Sequence, residues 1–432
     1  MPRVLVLGAG MVARPLVHYL LHHGFEVTVT SRNPAHSREV AGGHPSARPL
    51  ILYVDDEETV RSEVVAHDAV LSMLPWTHHL GVARICLEEG RHLVTTSYVS
   101  QEMKALGPEV EQAGLLFLNE IGLDPGIDHM ATMQMVDRLR EDSRELLHYR
   151  SYTGGLPALD SRTTPWGYKF SWSPRGVLLA GRNSARWLED GEVVEVVPED
   201  LFTHHWDLRV GKYELEAYPN RDSLEYVDRY GLQGIRTLFR GTLRYPGWCR
   251  TMKAVVDLGL LDLEERDLEG MSYRDLMADL AGSDRQGDVD SAVADRVGFS
   301  PQDDPIERLR WLGLFEPEPI PLERAAPLDV LTDLMNRRLV YAEGERDLIV
   351  QYHRFGLADG AEITSTLIDR GRPDGDSAMA RTVGLPAAIA TRLLLEDGIS
   401  VRGVRIPNRR EIYEPVLSEL ERLDIRFAHS GD

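Results

Sequence analysis

Short apolar runs and 3.6-residue stripes alternate along the first third of the chain. Val4-Leu5-Val6-Leu7 is a continuous apolar run, the mark of a strand buried on both faces. The next segment, MVARPLVHYLLHHG, places Val12, Leu16 and Leu20 at i, i+4 and i+8. Pro15 falls in its first turn and Gly24 at its end, so it predicts a helix. Further strands are read in FEVTVTSR, PLILYVDD, DAVLSMLP, HLVTTSYV and LLFLNEI. EETVRSEVVAH, THHLGVARICLEEG and SQEMKALGPEVEQAG are the helices between them. Strands separated by helices predict an α/β, doubly wound parallel sheet, with ligands at the carboxyl ends of the strands.

Beyond Arg140 the period shortens to two. RELLHYRSYTGG, GYKFSWSP, LRVGKYELEAYP, TLFRGTLRYP, DLIVQYHRFG and AEITSTLIDRG read as strands of a mixed sheet. An acidic, mostly helical block over 251–345 interrupts them and is read as an insertion. SAMARTVGLPAAIATRLLLEDG is a long Ala/Leu helix suited to packing against another domain. The expected organisation is a nucleotide-binding domain over 1–128, completed by C-terminal helices at about 376–432. A mixed-sheet α+β substrate domain over 129–250 and 346–375 carries the insertion.

Composition narrows the function classes. A net charge of −21 argues against nucleic acid or an anionic membrane as partner, since both need a basic face. Two cysteines, Cys86 and Cys249, sit far apart, which disfavours a disulfide framework or a structural zinc and suits a reducing cytoplasm. MPRVLVLGAG has no signal-peptide pattern, and no run approaches eighteen apolar residues, so a soluble cytoplasmic protein is expected. The histidine pairs at 78–79 and 204–205 lack ligating acids at suitable spacing, and no metal site is expected.

Gly8-x-Gly10-x-x-Ala13, with Met11 and Val12 inside it, stands between the first strand and its helix. Gly8 suits the tight turn, Gly10 lets backbone approach a pyrophosphate, and Ala13 allows close packing. The second strand ends in Ser31-Arg32 with no acid for a ribose hydroxyl. A hydroxyl and a guanidinium suit a 2′-phosphate, so NADP is read over NAD. Strands four to six end in Leu74-Pro75, Thr96-Ser97-Tyr98 and Gly122-Leu123-Asp124, all expected on the nicotinamide side. Within NEIGLDPGIDHM, Asp124 is the better substrate contact and Asp128 reads as a helix N-cap. His129 stands open between packing residue and proton carrier. In the second half Gly154-Gly155, Arg221 and Arg240-Gly241-Thr242 are ligand-directed in pattern: guanidinium groups suit carboxylates, and glycine in a strand marks close approach of a ligand or another backbone.

The sequence resembles the saccharopine reductase family, the NADP-dependent, L-glutamate-forming saccharopine dehydrogenases, over nearly its whole length. The resemblance rests on VTTSYVS (94–100), NEIGLDPGIDHM (119–130), SYTGGLPALD (151–160), GYKFSWSPRGVLLAG (167–181), AYPNRDSL (217–224), FRGTLRYPGW (239–248) and MARTVGLPAAIATRLLL (379–395). It implies a Rossmann-type domain and a saccharopine-binding mixed-sheet domain. It also implies reversible oxidation of a secondary amine to L-glutamate and 2-aminoadipate 6-semialdehyde, with hydride leaving the glutamyl α-carbon. On the family pattern Ser97, Tyr98, Asp124, Thr153, Arg221, Arg240, Gly241 and Thr242 bind substrate. Gly8, Gly10, Met11, Val12, Ser31, Arg32, Val54, Leu74, Ser97, Gly122 and Leu123 contact NADP. Tyr98 and Asp124 are the candidates for proton transfer or for holding the amine. Thr153 replaces the family's Cys, a hydroxyl for a thiol. A related enzyme acting on a polyamine-type substrate, carboxynorspermidine- or homospermidine-like, is the alternative; the arginines speak against it. A homodimer is the expected assembly.

Overall fold

The computed structural model describes residues 1–431 and divides into two compact units, 1–145 with 367–428 and 146–366 with 429–431. In the first unit the apolar runs form β1 (Arg3–Leu7), β2 (Glu26–Ser31), β3 (Ala47–Ile51), β4 (Ala69–Ser72), β5 (His92–Thr95) and β6 (Leu116–Leu118). The first helix starts at Arg14 rather than at Met11, because residues 11–13 turn around an Ala13 N–H bond to Gly10 O. A helix the periodicity did not show, Pro34–Ala41, separates β2 from β3. Only Ser37, Val40 and Ala41 of it are buried, too few to make a stripe. Its start is nevertheless written in Asn33-Pro34, where Asn33 Oδ1 caps the Ala35 N–H.

The chain then enters the second unit. There it forms β7 (Leu146–Pro157), a hairpin of β8 (Ala185–Glu189) and β9 (Glu192–Val196), and a hairpin of β10 (Trp206–Val210) and β11 (Tyr213–Pro219). β12 (Thr237–Arg244), a short pair β13 (Arg266–Asp267) and β14 (Arg324–Ala325), β15 (Asp347–Leu357) and β16 (Glu362–Arg370) follow. LRVGKYELEAYP is therefore two strands and not one, turning at Gly211, whose φ is 56°. GYKFSWSP is not a strand at all: residues 168–171 are all buried without alternation, Trp172 is exposed, and Ser173 caps the helix Pro174–Ala180. The helical insertion shares one hydrophobic core with the sheet, in which Leu156, Phe239 and Leu243 belong with Leu276, Leu309 and Leu331. The mixed sheet runs β10-β11-β12-β7-β15-β16 and ends on β18 (Phe427–Ser430), with β12 parallel to β7 and antiparallel to β11.

Before β18 the chain returns to the first unit as helix Ala378–Leu395, β17 (Gly403–Arg405) and helix Arg410–Arg422. The completed sheet has the order β17-β6-β5-β4-β1-β2-β3 with parallel neighbours throughout. Its strand order reverses between β1 and β4, where such sheets bind ligands. Helix Ala378–Leu395 is long and apolar enough to span a bilayer by length and composition, but most of it is buried within the unit. Gly384 lets it press on the first helix and the turn before it: a Cβ there would lie 3.2 Å from Leu16 Cβ and 2.8 Å from Val12 O.

Candidate active site

Every residue read from the sequence as a cofactor contact lies at or just beyond the carboxyl end of a strand in the first unit. Gly8 has φ of 105°, and a Cβ on it would meet the Met73 carbonyl at 3.2 Å, so the turn admits only glycine. At Gly10 the position of a Cβ is open, with no heavy atom within 4 Å. Bare backbone at the mouth of a helix whose first N–H groups face outward is a cradle for an anion. Arg32 is exposed and has no ion pair among the described residues, while Ser31 Oγ accepts from the Asn33 N–H at 3.1 Å. A free guanidinium beside the end of β2 and no carboxylate in its place fit a 2′-phosphate. Met11 is exposed; Val54 and Leu74 are half-buried; Leu123 is buried, and its backbone carbonyl accepts from Asp128 N–H.

At the ends of β5 and β6 the geometry tightens. Tyr98 Oη donates to Asp124 Oδ1 at 3.0 Å, and both side chains are half-buried. The turn carrying Asp124 folds back on itself, with Gly122 N–H bonded to Pro125 O and Ile127 N–H to Gly122 O. Gly126 has φ of 147°, and a Cβ on it would overlap Gly122 O at 2.1 Å. Asp128 is not the N-cap that the sequence suggested. The helix runs Ile127–Glu141 with Gly126 at the cap position, and Asp128 Oδ1 reaches back to accept the Gly126 N–H at 2.6 Å. His129 is fully buried, its Nε2 2.8 Å from Glu120 Oε2 and its Nδ1 3.5 Å from Asp128 Oδ2. Neither Glu120 nor His79 stood among the residues expected from the sequence. His79 Nδ1 lies 3.1 Å from Ser72 Oγ, and its Nε2 lies 2.8 Å from Ser97 Oγ and 3.0 Å from Thr95 Oγ1. Burial, and secondarily the charge of His78, pushes its pKa down to about 4. His79 is thus a neutral ring that orients Ser97.

In the second unit the central strands carry a polar face. Register pairs Ser151 with Arg240 and His353, and Thr153 with Thr242 and Gln351. The other face, with Tyr152, Leu156, Phe239, Leu243 and Val350, belongs to the apolar core. Buried polar groups in mid-sheet are costly unless satisfied. Thr153 Oγ1 is buried without a hydrogen-bond partner. Arg240 is buried with its guanidinium 4.3 Å over the Tyr226 ring, and Arg221 is half-buried just beyond β11. Gly241 points to the core side: a Cβ would meet the Phe239 ring at 2.6 Å and Tyr218 O at 2.9 Å. Its glycine is explained by protein packing, the second of the two readings its sequence position allowed.

Arg244 was not among the residues expected from the sequence. It follows Arg240 and Thr242 at two-residue spacing, so period two alone puts it on the polar face. Its guanidinium lies 4.9 Å over Tyr168 and 5.4 Å over Trp248, with Nη1 donating to Leu243 O at 2.8 Å. Its Nε and the Trp248 Nε1 are buried donors without a partner, and Arg244 has no ion pair among the described residues. Such a set suits a carboxylate ligand.

Two family models match in succession: "Saccharopine dehydrogenase NADP binding domain" over residues 4–118 and "Saccharopine dehydrogenase C-terminal domain" over 122–425. The chain is 37% identical to a saccharopine dehydrogenase [NADP(+), L-glutamate-forming] of Pyricularia oryzae, covering 97% of this chain and 96% of the relative. It is 35% identical to the Schizosaccharomyces pombe protein of the same name, covering 99% and 98%. A solved apo structure of the L-Glu-forming saccharopine dehydrogenase from Saccharomyces cerevisiae superposes with a TM-score of 0.88 at 34% identity, covering 100% and 99%.

Proposed function

The chain belongs to the saccharopine dehydrogenase family, and we infer that it is the NADP-dependent enzyme that interconverts saccharopine with L-glutamate and 2-aminoadipate 6-semialdehyde. It is an oxidoreductase of lysine metabolism. The observation carrying this reading is the Tyr98–Asp124 pair at the strand edge that also holds the glycine turn. The alternative of a polyamine-type substrate is not favoured, since the full-length relatives are named for saccharopine.

The products fix which carbon reacts. L-glutamate keeps its nitrogen and its α-hydrogen, so the carbon that becomes the aldehyde is the one oxidised. Hydride therefore leaves carbon 6 of the aminoadipate portion, not the glutamyl α-carbon to which the sequence reading assigned it. Bound NADP supplies the hydride acceptor. The proton lost from the secondary amine, and those moved as water adds and the C–N bond breaks, need groups within reach of the nitrogen. Tyr98 and Asp124 share one hydrogen and can hold or relay it there. His79 keeps Ser97 Oγ in one orientation beside them, and remains uncharged while doing so. On the second unit's polar face, Arg244, Thr153 and Arg221 are donors of the kind that hold carboxylates.

Purified protein is mixed with saccharopine and NADP, and reduced nicotinamide is followed by absorbance, with NAD and the Arg244→Met and Arg221→Ala proteins in parallel. We expect reduction strongly favouring NADP. In the variants KM for saccharopine should rise roughly 10- to 100-fold, the worth of a charge-assisted hydrogen bond. Protein that binds NADP but shows no saccharopine-dependent reduction would sink the reading. The chain is also proposed to act as a cytoplasmic homodimer; light scattering returning the mass of one chain would remove the dimer, and labelling of the protein in an organelle would remove the cytoplasm.

A further inference from the structure

Glu120 occupies a position that its side chain should avoid. Its φ is 57°, in the left-handed region that costs a non-glycine residue about 1 kcal/mol or more. Its carboxylate is wholly buried, which is unfavourable unless the charge is met. Such a residue persists only where its surroundings over-determine it, and here three bonds do so. The Glu120 N–H donates to Ser97 O at 3.1 Å. Its Oε1 accepts the Val99 N–H at 3.0 Å, and its Oε2 meets His129 Nε2 at 2.8 Å. Ser97 and Val99 are the two residues on either side of Tyr98. One residue thus grips the backbone before and after the tyrosine whose hydroxyl reaches Asp124, and the buried imidazole fixes the gripping carboxylate.

We propose that Glu120, braced by His129, is the positioning residue for Tyr98, setting the backbone on both sides of it so that its hydroxyl is held at Asp124. The inference rests on the reading of Tyr98 as a group at the reacting amine. It also supplies a reason for the carboxylates and imidazole gathered in NEIGLDPGIDHM: Asp124 belongs to the chemistry, and Glu120 and His129 to its alignment.

Glycine favours positive φ, so Glu120→Gly keeps the backbone and its bond to Ser97 O, and removes the carboxylate that holds Val99 and His129. Glu120→Gln keeps an acceptor for Val99 and a polar group for His129. Steady-state kinetics are measured for both, for Tyr98→Phe, and for Glu120→Gly combined with Tyr98→Phe, with melting curves and NADP affinity as checks on folding. In Glu120→Gly, kcat should fall by about 10- to 100-fold, the scale of an ångström-sized misplacement, with NADP affinity unchanged. Glu120→Gln should restore most of the rate. In the Tyr98→Phe background the same glycine substitution should cost less than about twofold, because its target is already gone. A Glu120→Gly enzyme with the parental kcat overturns the proposal, and so does a loss carried undiminished into the Tyr98→Phe background. A Tyr98→Phe enzyme with the parental rate overturns the reading beneath it, and the proposal with it.

Discussion

At Ser72, Thr95 and Ser97 three hydroxyls converge on one imidazole, and burial decides its charge. The folded His79 pKa of about 4 lies below the ordinary 6.5, so the fold favours the neutral ring. A depressed histidine stabilises the protein above the unfolded pKa, and that stabilisation is lost as pH falls from 6.5 toward 4. The shift corresponds to up to about 3 kcal/mol. Urea midpoints measured at about pH 7 and pH 5 should separate more in the parent than in His79→Gln; equal separation in the two would contradict this origin. The sequence showed His78-His79 only as a pair unsuited to metal. Its partners come from two other strand ends, and nothing local announces them. Arg244 is the opposite case, since the alternation Arg240, Thr242, Arg244 was open to reading.

At the scale of elements, the turn from Glu120 to Asp128 is the segment on which the site depends. Gly126 presses against Gly122, so Gly126→Ala forces both a strained φ and an overlap with backbone that cannot move aside. We expect a loss of roughly 3 kcal/mol or more by denaturant unfolding. Gly10→Ala, where space is open, should leave stability nearly unchanged and weaken NADP binding instead. Equal stability effects at the two glycines would contradict their separate roles. Elements misread from the sequence failed for local reasons. GYKFSWSP mimics a strand because aromatic residues alternate in it, although its polar Lys169 is buried as well and pairs with Glu345. Helix Pro34–Ala41 has too small a buried face for periodicity to register.

Over the whole molecule the two ends of the chain build one unit. Helix Ala378–Leu395 closes on the first helix through Gly384, and its Arg381 is buried against Asp369 with Nη1 at 2.7 and 2.9 Å from the two carboxylate oxygens. Arg381 Nη2 also donates to Leu423 O at 2.8 Å, joining the last segments of the unit. Removing one partner strands a buried charge, so Asp369→Asn should cost about 3 to 5 kcal/mol. Asp369→Leu combined with Arg381→Met should cost clearly less. A calorimetric melting series with the double variant below the single would contradict this.

The sequence by itself determined the parallel sheet, the glycine turn at its first strand, the preference for NADP, and the motif that ends in Tyr98, Asp124 and their neighbours. Those features are set by neighbours a few residues apart, where periodicity, turn chemistry and charge are enough. The tertiary structure alone decided what Asp128 bonds, which way Gly241 points, and that Glu120 and His79 stand behind Tyr98 and Ser97. Each of those depends on which distant strand ends are brought side by side, and hydrogen bonds across such junctions leave no period in the chain.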